Sequence, residues 1–486
     1  MKKKRGILMP VFALPGKYGI GTFGKEAYDF VDFLVKSGQS VWQMLPLGQT
    51  TFGDSPYQTT YDRSLNPYFC DLDDLKNQGL LSDAELKTAE DKSGKINYGK
   101  LYKTRYSLLR KAFSRFDFSD DFLAVVNRKK FDDYALFASL KSVYGELTAF
   151  PQEIKNRKKS SLNNFRELHE NEYLFHIFIQ YTLEKQFLKL KKYANEKGVK
   201  FMGDLPLYVS ADSADVWANP KQFALRENLA PKTVAGVPPD YFSADGQLWG
   251  NPVYDYEEMK KNNFSWWKKR IRFALSRYDL LRIDHFRGLD RFWAIPNGKS
   301  AKEGEWLPAY GREILKPFKN RLIAEDLGTI DDGVRSLLSE TGYPGMKVLL
   351  FAYDQNPQNP YLPAFVGENS VVYVGTHDND TAYGFAKTLD ADAFKRFSKA
   401  VNDNSIVKDL KVKTKKDVAP VLIENAYATR SRLSVISYAD VMNYDNRYRI
   451  NTPSTVGNWT VKFKKSDFSD EKSNYLKALA EKYKRK

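Results

Sequence analysis

Leu281-Arg282-Ile283-Asp284-His285-Phe286-Arg287-Gly288 is an apolar, strand-like run that ends on an aspartate with two arginines and a histidine beside it. An Asp leaving a buried strand among cations has its charged form stabilised, which suits a nucleophile. Standing alone, the stretch reads better as a cap paired with Arg282 or Arg287. The rest of the chain decides between the two.

Seven more short apolar runs bounded by turn residues accompany the run 280–286: residues 6–14, 41–47, 200–209, 321–327, 345–351, 371–377 and 435–443. Each has strand length and an apolar interior, as expected of a parallel strand buried on both faces. Helical periodicity recurs between them, at residues 24–37, 171–198, 264–277, 331–340 and 420–433. Eight strands alternating with helices predict an α/β fold, a single catalytic (β/α)8 TIM barrel over residues 1–486 with helical and loop-rich insertions. The charged residues 71–160 after the second strand read as a helical insertion. Residues 211–262, after the third, are rich in Gly, Pro and aromatics and read as site-building loops.

At 486 residues, with 42% hydrophobic and 28% charged, the chain has the composition of a soluble globular protein. It lacks an apolar run long enough to span a bilayer. The basic N-terminus and GILMPVFALPG imitate a signal peptide, but Pro10 and Pro15-Gly16 interrupt the apolar run and no small-x-small site follows. Cys70 is the only cysteine, which rules out an intrachain disulfide and a Cys-cluster metal site, so the expected compartment is the cytoplasm. The net charge of +16 raises the idea of nucleic-acid binding. Its lysines are scattered over amphipathic helices, so a solvated surface, with neither a nucleic-acid nor a membrane partner, is the expectation, as is a monomer.

Barrel chemistry sits at the C-terminal ends of the strands. There the third run delivers Asp204, the fourth Arg282, Asp284 and His285, the fifth Glu325 and Asp326, and the seventh His377, Asp378 and Asp380. Each could be a helix cap or an Asx-turn by itself. Their joint occurrence on one rim points to catalysis. One ionised and one protonated carboxyl is the requirement for cleaving a glycosidic bond by the retaining route. Asp284 beside Arg282 suits the nucleophile, Glu325 after the buried run RLIAE suits the acid, and Asp378 with His377 could grip sugar hydroxyls. A metal site built on His285, His377, Asp378 and Asp380 is the competing reading, without an H-E-x-x-H or EF-hand spacing to support it. Neither a metal nor a nucleotide cofactor is called for, since GKYGIGTFG lacks the Rossmann spacing and no phosphate loop occurs. Flat surfaces for sugars come from Tyr57, Tyr241, Phe242 and Trp249, which lie among Gly, Pro, Asp and Asn as exposed loop residues do.

The motifs GDSPYQ, GDLPLYV, VPPDYFSADGQLWGNP, LRIDHFRG, IAEDLG and GTHDNDT, in this order, resemble those of the 4-α-glucanotransferases (amylomaltases, disproportionating enzymes), relatives of the α-amylase clan. The resemblance runs from GILMPVFALPG to the segment 451–459. It implies transfer of α-1,4-glucan segments to the 4-hydroxyl of another glucan or glucose through a covalent glycosyl-enzyme. Asp284 would be the nucleophile, Glu325 the general acid/base and Asp378 the residue holding the sugar's hydroxyls, with Arg282 and His377 completing that subsite. Tyr57, Asp204 and Asn451 would make further donor-side contacts, and Tyr241, Phe242, Gln247 and Trp249 would belong to the loop covering the acceptor side. Thr22, where relatives commonly carry an acidic residue, and NTPSTVGNWTVKF depart from the usual pattern without touching the three carboxylates.

Overall fold

The computed structural model describes residues 3–51, 53–239, 244–328 and 330–485. Among these, twelve strands follow in chain order: β1 (Lys4–Leu8), β2 (Val41–Gln43), β3 (Lys200–Leu205), β4 (Thr233–Val237), β5 (Gln247–Pro252), β6 (Leu280–Ile283), β7 (Arg291–Pro296), β8 (Glu305–Pro308), β9 (Leu322–Ala324), β10 (Gly345–Val348), β11 (Ser370–Tyr373) and β12 (Leu433–Ser437). Eight of them close a barrel in the order β1-β12-β11-β10-β9-β6-β3-β2, every pair parallel. These are the eight runs expected from the sequence.

The barrel strands are apolar because helices cover their outer faces and side chains fill their interior. All residues of β2, β9, β11 and β12 are buried. Polar groups also pair inside the barrel, as where the Tyr373 hydroxyl donates to Gln43 Oε1 at 2.8 Å. Gly6 is demanded by packing: a Cβ on it would lie 2.7 Å from the Val41 carbonyl oxygen. The helix Lys25–Lys36 turns Ala27, Phe30, Val31, Phe33 and Leu34 inward, the i, i+3, i+4 stripe of a helix packed on one face.

Several runs are shorter than their apolar length. The first stops at Leu8, since Pro10 lacks the N–H that a ladder requires, and Val11–Ala13 form a 3-10 turn. The last begins at Leu433 instead of Val435 and ends at Ser437, after which Tyr438–Val441 are helical; the preceding helix is Val418–Ala428 and so stops before Leu433. Apolar runs that pass from a buried strand into a buried helix carry no change of pattern at the junction.

Residues 71–160 are helical, from Leu72–Asn77 through the start of Lys159–Leu168, and pack on the long helix Glu170–Glu196. Residues 211–262 are more regular than loops. They contain β4 and β5, which join β7 and β8 in an antiparallel sheet of order β5-β4-β7-β8. Half of that sheet comes from the segment after β6, whose own strands, RFWAIP and EWLP, escape the sequence reading because they are short and show no alternation of polar and apolar residues. Among the described residues, no helix is long and apolar enough to cross a membrane.

Candidate active site

Asp204 is the penultimate residue of β3 and is buried at 4% exposure. Its Oδ2 accepts from the Tyr57 hydroxyl at 2.8 Å and from Arg282 Nη1 at 2.5 Å. Arg282, on the neighbouring strand β6, is 2% exposed and sends Nη2 to Asp284 Oδ1 at 2.8 Å. One guanidinium thus spans the ends of two adjacent strands and orients the Asp284 carboxylate. Burial pushes the Asp284 carboxyl up to about 6, and the Arg282 charge lowers it without cancelling that effect. Arg282 therefore moderates the desolvation of Asp284 and does not hold it at an ordinary acidity, contrary to the expectation from their adjacency in sequence.

His285 follows with φ +48°, a left-handed conformation. This turn directs its N–H at Glu325 Oε2, 2.7 Å away. Glu325 emerges from β9, beside β6, and its Oε1 accepts the Leu327 N–H at 2.9 Å. Burial still raises its carboxyl to about 7, with Asp284 adding to the rise and Arg282 and the two N–H groups opposing it. The two carboxyl groups therefore stand on adjacent strands, with Glu325 the weaker acid of the two. The His285 ring is held to about 4 by burial and by Arg287, so it stays neutral at pH 7, packed edge-on against Trp249 at 4.8 Å between ring centroids.

The loop after β11 supplies the third carboxylate. Asn379 Oδ1 accepts from the Thr376 N–H at 2.8 Å, and Thr381 caps the helix Ala382–Thr388 through the Gly384 N–H, so THDND is also the turn and cap that its composition predicts. Within it, Asp378 Oδ2 lies 3.2 Å from His377 Nε2, and Oδ1 accepts from Asn451 Nδ2 at 2.6 Å. Burial would raise this carboxyl, but the His377 and Asn451 contacts hold it at about 2. His377, 2% exposed, is lowered by burial, but the charge and hydrogen bond of Asp378, with the charge of Asp204, leave it above the usual imidazole value. Its Nε2 also meets the Tyr57 hydroxyl at 2.8 Å, with the two rings stacked at 5.3 Å.

Tyr57, Asp204, Arg282, Asp284, His377, Asp378 and Asn451 therefore form one bonded network, and Glu325 joins it through His285. Gln247 and Trp249 lie on strand β5 instead of in a loop, where Trp249 Nε1 donates to Gln247 Oε1 at 3.1 Å. Tyr241 and Phe242 lie outside the described residues. Two further side chains escaped the sequence reading as individuals. Trp459 packs its ring 6.2 Å from that of His377 and 6.0 Å from that of Tyr57; its place in the closing motif was the available signal. Arg449 bonds to the backbone of Asp378 and Asn451, and nothing in RYRIN, where Arg447 stands two residues before it, singles it out for that. Among the described residues, no group of three or more His, Cys, Asp or Glu has metal-binding geometry.

Residues 9–467 match the family described as 4-alpha-glucanotransferase. The chain is 39% identical over 491 residues to the 4-alpha-glucanotransferase of Clostridium butyricum, covering 98% of this chain and 99% of the relative. It is 37% identical to that of Thermus thermophilus, covering 98% of each. Among solved structures, the amylomaltase from Streptococcus agalactiae in complex with acarbose superposes with a TM-score of 0.93 at 35% identity over 100% of both chains.

Proposed function

The chain belongs to the 4-alpha-glucanotransferase family, and from that premise we propose how its rim residues divide the work. The observation carrying this reading is the Glu325 Oε2 bond to the N–H of His285, which fixes Glu325 beside Asp284. Asp284 attacks the anomeric carbon of an α-1,4-linked donor glucan as the bond to the departing O4 breaks, and Glu325 gives that oxygen its proton. The result is a β-linked glycosyl-enzyme on Asp284 and a released glucan. In the second half, Glu325 takes the proton from the 4-hydroxyl of an acceptor glucan or glucose. That oxygen attacks the same carbon, the bond to Asp284 breaks, and two inversions restore the α linkage.

The raised pKa values of the pair serve this cycle. Glu325, at about 7, both holds and accepts a proton near neutrality, while Asp284, at about 6, is the group that ionises first. Asp378, at about 2, is a permanent anion for the hydroxyls of the reacting glucose, which gain acidity as positive charge develops at the ring. Tyr57, Asp204, Arg282, His377 and Asn451 shape the donor subsite; Gln247 and Trp249, with Tyr241 and Phe242, form the acceptor side.

Incubation with maltotriose tests the reading: glucose and chains longer than three units are the expected products. Shortening without elongation would make the protein a hydrolase. We also propose a cytoplasmic monomer, in keeping with the single, buried Cys70; elution at twice the chain mass of 56.0 kDa in size exclusion would refute the monomer.

A further inference from the structure

We infer that Arg449 is a positioning residue for the donor subsite, holding Asp378 and Asn451 in register through the two ends of their own hydrogen bond. This deepens the reading of Asp378 given above and rests on it. Arg449 lies in the segment after β12 and reaches the loop after β11. Its Nε donates to the Asn451 carbonyl at 2.8 Å, and its Nη2 to the Asp378 carbonyl at 2.7 Å. Those two residues are the pair joined by Asn451 Nδ2 and Asp378 Oδ1 at 2.6 Å. Backbone of 378, guanidinium, backbone of 451 and the two side chains therefore close a ring of hydrogen bonds around the carboxylate.

The guanidinium is planar and its N–H directions are fixed, so the separation of its two carbonyl partners is set by covalent geometry. A further N–H, on Nη1, is occupied by Asp380 Oδ1 at 2.5 Å, which neutralises the charge and stops the fork from rotating. Arg449 and Asp380 keep only 22% and 21% of their side chains exposed, so the pair is substantially shielded from water. The Asn451 N–H is also engaged, donating to the His377 carbonyl at 3.0 Å. A lysine would preserve the charge but could not present Nε and Nη2 in one plane to two carbonyls. The carboxylate it orients must meet sugar hydroxyls to within a fraction of an ångström, and a misplacement of about 1 Å costs on the order of 100-fold in rate.

Arg449→Lys, Arg449→Met and Asp380→Asn are compared with Asp378→Asn in maltotriose disproportionation, with kcat and KM separated and folding followed by near-UV circular dichroism and Tm. Arg449→Lys should lower kcat about 30-fold with KM within about threefold, because the misplaced Asp378 contact is strongest in the transition state. Arg449→Met should cost at least as much, and Asp380→Asn about fivefold, since the two carbonyl bonds survive. If Arg449→Met does not fold, Arg449→Lys and Asp380→Asn carry the test. An Arg449→Lys enzyme with kcat within about twofold of the parent, while Asp378→Asn is inactive, overturns the role of Arg449 alone. So does a loss that only tracks the unfolded fraction. Full activity in Asp378→Asn would overturn the role of Asp378, and this inference with it.

Discussion

The two walls of the proposed glucan cleft are built by different physics. The donor wall is a lattice of buried, charge-assisted bonds: Tyr57 is shared by Asp204 and His377, and Arg282 by Asp204 and Asp284. Asp204, Arg282, Asp284 and His377 come from the ends of three barrel strands, β3, β6 and β11, which the closed barrel holds at fixed spacing, and Tyr57 comes from the segment after β2. The acceptor wall is β5, an outer strand of a small antiparallel sheet, where Gln247 and Trp249 satisfy each other and Leu248 stays 54% exposed. Moving one donor-wall residue strands a buried polar group on its neighbour; moving one on the acceptor wall mostly removes contact area. A transferase has reason for the difference, since the reacting carbon must be held in one geometry while acceptors of several lengths enter.

Substitutions on the two walls should therefore differ in size and in the constant they change. Asp284→Asn should lower kcat by at least about 10⁴-fold, leaving the fold intact by circular dichroism, because the nucleophile has no substitute. Detectable glycosyl-enzyme in that variant would remove Asp284 from the role. Glu325→Gln should cost about 10² to 10⁴-fold in kcat, the usual range for a general acid/base. Tyr57→Phe strips a partner from both Asp204 and His377 and should cost about 1 to 3 kcal/mol of transition-state stabilisation, read in kcat/KM. Trp249→Ala should chiefly raise the KM of the acceptor, by about tenfold, corresponding to the ~1.4 kcal/mol typical of one aromatic contact. A kcat loss for Trp249→Ala as large as that for Tyr57→Phe would erase the distinction between the walls.

The pH dependence follows from the carboxyl pair. Asp284 must be ionised and is so above about 6; Glu325 must be protonated for the first step and is so below about 7. The profile of kcat/KM should be a narrow bell that falls as pH drops through about 6 and as it rises through about 7, each limb approaching about tenfold per unit. Glu325→Gln should abolish the alkaline limb and leave the acidic one near its place, since Glu325 is still protonated when Asp284 ionises and the charge of Asp284 acts on Glu325 instead. An alkaline limb persisting in Glu325→Gln would assign it to another group.

Much of this site is visible in the sequence because barrel chemistry sits at strand ends, and a strand buried on both faces is a readable apolar run. Asp204, Asp284, Glu325 and Asp378 each lie within or directly after such a run. Tyr57 and Trp249 stand out as sugar-facing aromatics by their Gly-, Pro-, Asp- and Asn-rich surroundings, whereas the roles of Asn451 and Gln247 came through the family resemblance, since an amide in a polar stretch has no periodicity to distinguish it. The antiparallel sheet was missed because its strands pair across β6, from residues 233–252 to 291–308, and no local pattern records a partner that distant. Arg449 was missed for the same reason.

The order of apolar runs, turn residues and strand-end carboxylates is enough by itself to determine the eight-stranded barrel and to put the acid residues on one rim, since burial on both faces and side-chain chemistry are local properties. What tertiary structure alone decided is the balance of charge among them. Adjacency in sequence made Arg282 the residue that keeps Asp284 ionised; the folded rim desolvates Asp284 enough to raise it regardless, and bonds Arg282 equally to Asp204. Desolvation and hydrogen-bond geometry depend on every atom within a few ångströms, and those atoms come from strands that lie far apart along the chain.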